Sequence, residues 1–196
     1  MPKIVDHDER RRQVVAAAWR IIAAEGVDAV TMRRLADELG LSNGALARYF
    51  PAKADIVGAV FSAATDATHE RFLAAGGDVL TGSKALRALL HEMFPFDDVT
   101  RREALIVIPF FDYAQHNERL QGIWQDFVEL ERPLLDRIFD EMVLEGTARP
   151  DLDRTTALDF LFTVVSGAQA NPLLLPETGT EERLQALVES VLRALA

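Results

Sequence analysis

Two short helical patterns are separated by only three residues, Gly40-Leu41-Ser42, and this spacing constrains the fold more than any other feature. Before the gap, Leu35, Ala36 and Leu39 repeat at helical spacing behind Thr31, a residue suited to cap a helix. After the gap, Ser42 offers a second cap, and apolar or aromatic positions follow up to Pro51: Ala45, Leu46, Tyr49 and Phe50. Two short helices joined by a glycine-containing turn predict a helix-turn-helix.

Longer helical patterns flank this motif on both sides. Apolar residues recur from Asp8 to Glu25, and Gly26 follows where a helix would end. A connecting helix is predicted from Lys53 to Ala75, because Gly76-Gly77 stops the pattern there. Further helices are predicted at 83–93, 99–115, 118–144, 155–170 and 181–195, with proline, glycine or polar breakers between them, the last running from Pro172 to Gly179. No extended β-alternation occurs, so an all-α fold is predicted.

Charge is distributed unevenly along the chain. The formal net charge is −10, which by itself disfavours binding to a phosphate backbone. Residues 1–56 nevertheless carry nine Lys or Arg against eight Asp or Glu, whereas the rest carries twelve against 23. The pattern favours a locally basic head on an acidic body.

Several classes of protein are disfavoured by what the sequence lacks. There is no cysteine, which excludes disulfides, thiolate metal sites and cysteine nucleophiles. The longest apolar run, Ala104 to Phe111, is too short to cross a bilayer, and the first residues show no apolar signal core. We therefore expect a cytoplasmic protein without a membrane partner. No nucleophile elbow, phosphate-binding glycine loop or His-x-x-x-His pair is present, so we expect no cofactor and no enzyme; a cofactor-free helical enzyme is the disfavoured alternative.

The run from Arg12 to Lys53 resembles the DNA-binding domain of the TetR (tetracycline-repressor) family. The matching stretches are Ala16-Ala17-Ala18, Glu25-Gly26, Thr31 to Ala36, Leu39 to Ser42, Gly44, and Tyr49 to Lys53. The resemblance implies an N-terminal three-helix helix-turn-helix head, residues 1–55, joined by a long helix to a helical effector-binding and dimerisation domain, residues 56–196. It further implies a transcription regulator, most commonly a repressor, with double-stranded operator DNA, a small-molecule effector and a second copy of the chain as partners.

The second helix of the motif is the predicted reader of bases. Leu46 and Phe50 lie four residues apart and are expected to face inward, which leaves Asn43, Ala45, Ala47 and Arg48 for DNA. Arg48 can read guanine and Asn43 adenine, while the small Gly44 and Ala45 permit close approach to the groove.

The resemblance implies further DNA contacts. Thr31, Ser42, Tyr49 and Lys53 match phosphate anchors, Arg33 matches a base-reading position, and Arg34 is its phosphate-contacting neighbour. Ala47 departs from the family, which usually has tyrosine there, so one phosphate contact is in doubt. Arg10-Arg11-Arg12 is either a set of phosphate contacts or a solvated first turn.

The body contains most of the aromatic residues. As a group they favour a cavity for an apolar or aromatic effector, although each one alone is more typical of plain core. The predicted pocket residues are Phe61, Met93, Phe94, Phe110, Phe111, Tyr113, Trp124, Phe127, Phe162 and Gln169. The rival hypothesis is a DNA-binding protein that responds to no ligand.

The last two predicted helices are strongly apolar. An antiparallel pair of this kind can form a four-helix interface with a second copy, and a twofold dimer would read a palindrome. The alternative is that the pair completes the core of its own chain. The predicted interface residues are Leu158, Leu161, Val165, Leu184, Leu187, Val188, Val191 and Leu192.

Overall fold

The computed structural model describes residues 7–196, and that range is helical with no strand. The helices are α1 (His7–Glu25), α2 (Met32–Glu38), α3 (Asn43–Ala47), α4 (Lys53–Ala74), α5 (Gly82–Met93), α6 (Asp98–Ala114), α7 (Glu118–Leu144), α8 (Arg154–Leu174) and α9 (Glu181–Leu195), with short 3-10 turns at Val27–Ala29 and Pro176–Gly179. This confirms the all-α prediction with a helix-turn-helix near the amino terminus. Within the described range, no helix is both long and apolar enough to span a membrane.

The turn between α2 and α3 forms for local reasons. Gly40 adopts a positive φ of 64°, and the amide of Leu41 donates to the carbonyl of Ala36 at 2.8 Å. The amide of Gly40 donates to the carbonyl of Asp37, which completes a Schellman ending of α2. Ser42 then caps α3, because its Oγ accepts from the amide of Ala45 at 3.1 Å. The turn chemistry in the sequence therefore predicted the motif correctly.

Two predicted helix ends were wrong. α3 ends at Ala47 rather than near Phe50, because the amides of Tyr49 and Phe50 both donate to the carbonyl of Leu46 and tighten the last turn. α8 runs through Pro172 to Leu174, although the proline was expected to stop it. Proline removes its own N–H and crowds the preceding turn, but the next turn still forms, because the amide of Leu175 donates to the carbonyl of Asn171 at 2.8 Å.

The chain divides into two compact units. The first comprises Met1–Thr65 with Leu105–Ile123, and the second comprises Asp66–Ala104 with Trp124–Ala196. Residues 1–6 of the predicted head lie outside the described part of the chain. Compactness does not test which residues read DNA or bind an effector, so the functional boundary between residues 55 and 56 remains a prediction.

Each unit has its own apolar core. In the first unit, α1, α2 and α3 bury one face each against the start of α4, with Ile106 of α6 in the same cluster. Gly58 on α4 is close to α7, since a Cβ there would meet side-chain atoms of Ile123 at 2.5 Å and Leu120 at 3.0 Å. In the second unit, α5, α7, α8 and α9 share a core that includes Phe94 and Phe139.

A cluster of charged side chains is the main polar feature inside the second unit. Arg71 of α4 donates to both carboxylate oxygens of Glu103 at 2.7 Å and to Glu92 at 2.8 Å. The hydroxyl of Thr68 also donates to Glu103. The side chain of Glu103 is 5% exposed, and its hydrogen bonds hold the pKa of Arg71 above its ordinary value. The cluster is a satisfied ion network rather than an open site.

Candidate DNA interface and effector site

The side chains of α3 are divided between core and solvent as the sequence predicts. Leu46 and Phe50 are fully buried against the other helices of the first unit. Asn43, Gly44 and Arg48 are exposed on the opposite side. Ala45, another predicted DNA-contacting residue, is half-buried, and Ala47 is exposed. The exposed side chains form a small polar surface at the start and end of α3, with no bulky apolar group between them.

Both helix caps are exposed while they perform their structural role. The Oγ1 of Thr31 accepts from the amide of Arg34 at 3.1 Å, and the Oγ of Ser42 accepts from the amide of Ala45. Each hydroxyl keeps its own hydrogen as a donor, so it can still donate to a phosphate oxygen. The caps are therefore compatible with both their structural and their predicted DNA-contacting roles.

Arg33 and Arg34 have different surroundings. The side chain of Arg33 is 85% exposed, and its Nε lies 3.9 Å from Asp37. Arg34 instead makes a two-pronged pair with Glu25, whose pKa it lowers chiefly by hydrogen bonding. Arg33 is thus accessible for a base or a phosphate, whereas Arg34 holds α2 to the end of α1 and would have to share its guanidinium with DNA.

Lys53 and Tyr113 lie together in the first unit. The Nζ of Lys53 is 3.9 Å from Asp28 and 5.2 Å from the ring centroid of Tyr113. The hydroxyl of Tyr113 donates to the same Asp28 at 3.0 Å. Tyr113 was predicted for the effector pocket, and its ring is instead placed beside a predicted phosphate anchor. The carboxylate and the ring partly neutralise and position the lysine at the amino end of α4.

The predicted pocket residues of the first unit pack on one another. Phe61 of α4 stacks on Phe110 of α6 with ring centroids 3.9 Å apart, and both are buried. Phe111 meets Phe110 edge-on at 6.2 Å. These rings give the first unit a well-packed aromatic core.

In the second unit, three of the predicted residues form an aromatic group. Trp124, Phe127 and Phe162 lie with ring centroids 5.4 to 6.2 Å apart, and Phe162 meets the other two edge-on. Phe94 is buried in the core, and the amide of Gln169 donates to the carbonyl of Met93 at 2.9 Å. Gln169 therefore has a structural partner already.

A small apolar cavity adjoins the aromatic group. Its volume is about 10 Å³, which is at most enough for one water molecule and far below that of an organic effector. The predicted Met93 and Phe162 line it together with leucines of α5 and residues of α7 and α8: Leu86, Leu89, Leu90, Leu135, Leu161 and Val165. An effector could enter here only if these side chains moved apart.

Sequence reasoning missed a half-buried carboxylate on the same face of α7. Glu131 lies four residues from both Phe127 and Leu135, so the three share one stripe of the helix. Its side chain is 13% exposed, burial raises its pKa, and its partner is the Nδ1 of His69 at 3.7 Å. A glutamate inside an apolar stripe was the signal that could have found it.

The predicted interface residues of α8 and α9 lie mostly inside their own chain. Six of them belong to the core of the second unit: Leu158, Leu161, Val165, Leu184, Val188 and Val191. Leu187 and Leu192 are half-buried at its edge. Burial of this kind is what the own-core alternative predicts, so the choice of residues at a dimer interface remains a prediction. Exposed apolar side chains do occur at the end of α8, at Leu173, Leu174 and Leu175.

Comparison with known proteins identifies the two parts of the chain. Residues 14–60 match the family model of bacterial regulatory proteins of the tetR family, and residues 83–196 match that of the BetI-type transcriptional repressor C-terminal region. The transcriptional regulator PksA of Bacillus subtilis is 29% identical over 189 residues, covering 96% of this chain and 90% of the relative. The repressor KstR2 of Mycolicibacterium smegmatis is 30% identical over 149 residues, covering 74% and 70%. These relatives are regulators rather than enzymes.

Solved structures share the fold over nearly the whole length. A transcriptional regulator from Rhodococcus sp. RHA1 matches with a TM-score of 0.79 at 21% identity, covering 94% of this chain and 95% of that one. A regulator from Saccharomonospora viridis in complex with choline matches with a TM-score of 0.81 at 20% identity, covering 95% and 96%. With both parts of the chain matched in order and the helix-turn-helix in place, the protein belongs to the TetR family of DNA-binding transcription regulators.

Proposed function

We propose that the protein is a ligand-responsive repressor that binds a palindromic operator as a homodimer in the cytoplasm. Residues 1–55 read the DNA, and residues 56–196 bind the effector and the second copy. An effector that binds more tightly to the DNA-free conformation weakens operator binding by the same factor as DNA weakens effector binding. The choline complex of the Saccharomonospora viridis regulator is consistent with a small organic ligand in this fold.

The observation that carries the DNA-binding proposal is the outward face of α3. Asn43, Gly44 and Arg48 are exposed beside two exposed hydroxyl caps, while the opposite face is fully buried. A short helix with a small residue in its first turn and an arginine near its end can approach the major groove closely. Arg48 supplies a two-pronged donor for guanine, and Lys53, Tyr49, Thr31 and Ser42 contact phosphates on either side.

The first test is a gel shift with the DNA upstream of the protein's own gene. We expect a complex that prefers this DNA to a scrambled duplex of equal length, and whose affinity falls steeply as salt rises. Arg48→Ala is the negative control for base preference. A complex that shows no sequence preference at any salt concentration would contradict the proposal.

The effector proposal rests on the aromatic group and the adjoining cavity of the second unit. Trp124 provides a direct readout, because a Trp19→Phe variant leaves it as the sole tryptophan of the chain. Apolar and aromatic compounds that enter beside Phe162 should change the fluorescence of Trp124 and release the operator duplex. Phe162→Ala should abolish both effects, whereas Phe160→Ala, on the same helix, serves as the matched control. Release of DNA without a change at Trp124 would place the effector elsewhere.

The second candidate is a DNA-binding protein that responds to no ligand. The size of the described cavity is compatible with it, because about 10 Å³ leaves no room for an organic molecule there without movement of the lining side chains. Calorimetric screening of a compound library, with and without operator DNA, separates the two. The repressor proposal expects at least one compound that alters DNA affinity, and the second candidate expects none.

A further inference from the structure

The carboxyl end of the recognition helix is held from a distant part of the chain. α3 has only five residues, and the chain turns sharply before Pro51. The last carbonyls of a helix have no partner within the helix and need a donor from elsewhere. In the turn directly after α3, the carbonyl of Tyr49 receives a hydrogen bond from Arg11 of α1, whose Nη1 lies 2.5 Å away. A cationic donor is well suited to a helix carboxyl end, where the carbonyl dipoles point outward.

Arg11 makes a second contact with the same segment. Its guanidinium lies 4.2 Å from the ring centroid of Phe50, the buried side chain that anchors the end of α3. One helical turn earlier, the ring of His7 lies 4.6 Å from the ring of Tyr49. Positions four apart share one face of a helix, so a single face of α1 contacts both residues that follow Arg48.

The neighbouring arginines have different surroundings. Arg12 pairs with Glu9 of the same helix, and its side chain is 65% exposed. Arg10 donates to Gln13, also within α1. The contacts of Arg11 reach Tyr49 and Phe50, beyond α1, so the three arginines that the sequence presents as one basic run differ in their described contacts.

We propose that Arg11 is a positioning residue for DNA recognition: it fixes the carboxyl end of α3 and so orients Arg48 and Tyr49. This inference rests on the proposed DNA contacts of α3. One donor of Arg11 is directed at the carbonyl of Tyr49 and its planar face at the ring of Phe50, so part of the guanidinium is engaged inside the protein. Arg48 immediately precedes the anchored residue, and the same turn sets the direction of its backbone. Arg11 thus acts by orienting Arg48 and Tyr49 and not by contacting a phosphate of the DNA.

The test uses a duplex that the wild-type protein selects from a random pool. Arg11→Met removes the donor and the charge while a flexible side chain still covers Phe50, and Arg12→Met makes the same charge change one residue away. We expect Arg11→Met to weaken binding about tenfold, the equivalent of about 1.4 kcal/mol. It should also relax the base preference at the position that Arg48→Ala relaxes. Arg12→Met should keep the base preference.

The salt dependence of binding separates positioning from phosphate contact. Loss of one phosphate contact makes the slope of log affinity against log salt shallower by about 0.9. We expect Arg11→Met and Arg12→Met to keep the wild-type slope. A shallower slope for Arg11→Met with unchanged base preference would show a phosphate contact and overturn the inference.

Thermal stability and a second substitution distinguish the remaining outcomes. A merely structural role would lower the thermal midpoint and reduce binding to selected and base-substituted duplexes equally, which also contradicts the inference. If Arg11→Met does not fold, Arg11→Lys tests the same point. The ammonium group of lysine can still contact a phosphate, but it does not reproduce the planar guanidinium that lies over the ring of Phe50. Relaxed base preference in Arg11→Lys supports positioning, and wild-type preference contradicts it. Failure of the wild-type protein to select any duplex would instead refute the proposed function.

Discussion

The two compact units differ in where they place their polar groups. In the first unit, hydroxyl caps and several charged side chains lie at the surface, and pairs such as Arg34 with Glu25 and Lys53 with Asp28 connect elements near α2 and α4. In the second unit, the network around Arg71 and Glu103 and the carboxylate of Glu131, which pairs with His69, are largely withdrawn from solvent. The first unit therefore exposes the residues predicted to contact DNA, whereas the second unit, which also has exposed ion pairs such as Arg101 with Asp98, contains an ion network that is largely withdrawn from solvent. Substitutions should consequently affect recognition in one unit and stability in the other.

The largest effect is expected at Arg71. Arg71→Met leaves Glu92 and Glu103 as two carboxylates without their cation, and Glu103 is buried. Removing one partner of a buried ion network costs about 3 to 5 kcal/mol. Urea unfolding should show this loss, while Arg101→Met, at an exposed pair one turn into α6, should change stability by less than about 0.5 kcal/mol. Equal effects of the two variants would show that the ion network around Arg71 contributes no more to stability than an exposed ion pair of the same unit.

The next largest effects are expected in DNA binding, at Arg48 and Lys53, without loss of folding stability. Arg48→Ala should cost about 1 to 3 kcal/mol of discrimination at one base position, because its two-pronged contact is lost. Lys53→Ala should weaken binding to all duplexes alike and make the salt slope shallower by about 0.9. Binding titrations on selected and substituted duplexes measure both. Identical behaviour of the two variants would contradict the division between base reading and phosphate contact.

A smaller effect on stability and on DNA binding is expected at Ser42, which both caps α3 and is a proposed phosphate contact. Ser42→Ala removes the cap of α3 and should lower the free energy of unfolding by about 1 kcal/mol. It should also weaken DNA binding, since the same hydroxyl is a proposed phosphate donor. Ser190→Ala, whose hydroxyl donates to a carbonyl within α9, is the control and should leave DNA binding unchanged. Normal DNA binding by Ser42→Ala would restrict Ser42 to its structural role.

The smallest effect is a gain in stability. Burial raises the pKa of Glu131, so the folded protein binds a proton there more tightly than the unfolded chain does. Linkage then requires the contribution of Glu131 to stability to fall as pH rises through the ordinary glutamate range and up to the raised value. Glu131→Gln should remove this decline and stabilise the protein near neutral pH by on the order of 1 kcal/mol or less. Thermal melts across pH 4 to 8 measure it, with Glu129→Gln on the exposed side of α7 as the control.

The first unit was predictable from sequence because its determinants are local. The caps at Thr31 and Ser42 and the positive φ at Gly40 each act within a few residues, and a short stretch of sequence contains them all. The roles of Tyr113 and Arg11 could not be found this way, since their partners lie 85 and 38 residues away. In the second unit, apolar periodicity located the helices but could not tell a core-facing leucine from an interface-facing one. Pro172 shows a further limit, because α8 continues past it with an ordinary backbone hydrogen bond from Leu175 to Asn171, whereas the proline alone predicts a stop.

The central claim is that the exposed face of α3 reads a DNA sequence. The most direct measurement is fluorescence anisotropy of the wild-type protein with a duplex selected from a random pool and with a base-scrambled duplex of the same length, at one physiological salt concentration. The expected result is an affinity for the selected duplex at least about 10³ times higher, as for specific DNA-binding proteins in general. Equal affinity for the two duplexes would contradict the claim.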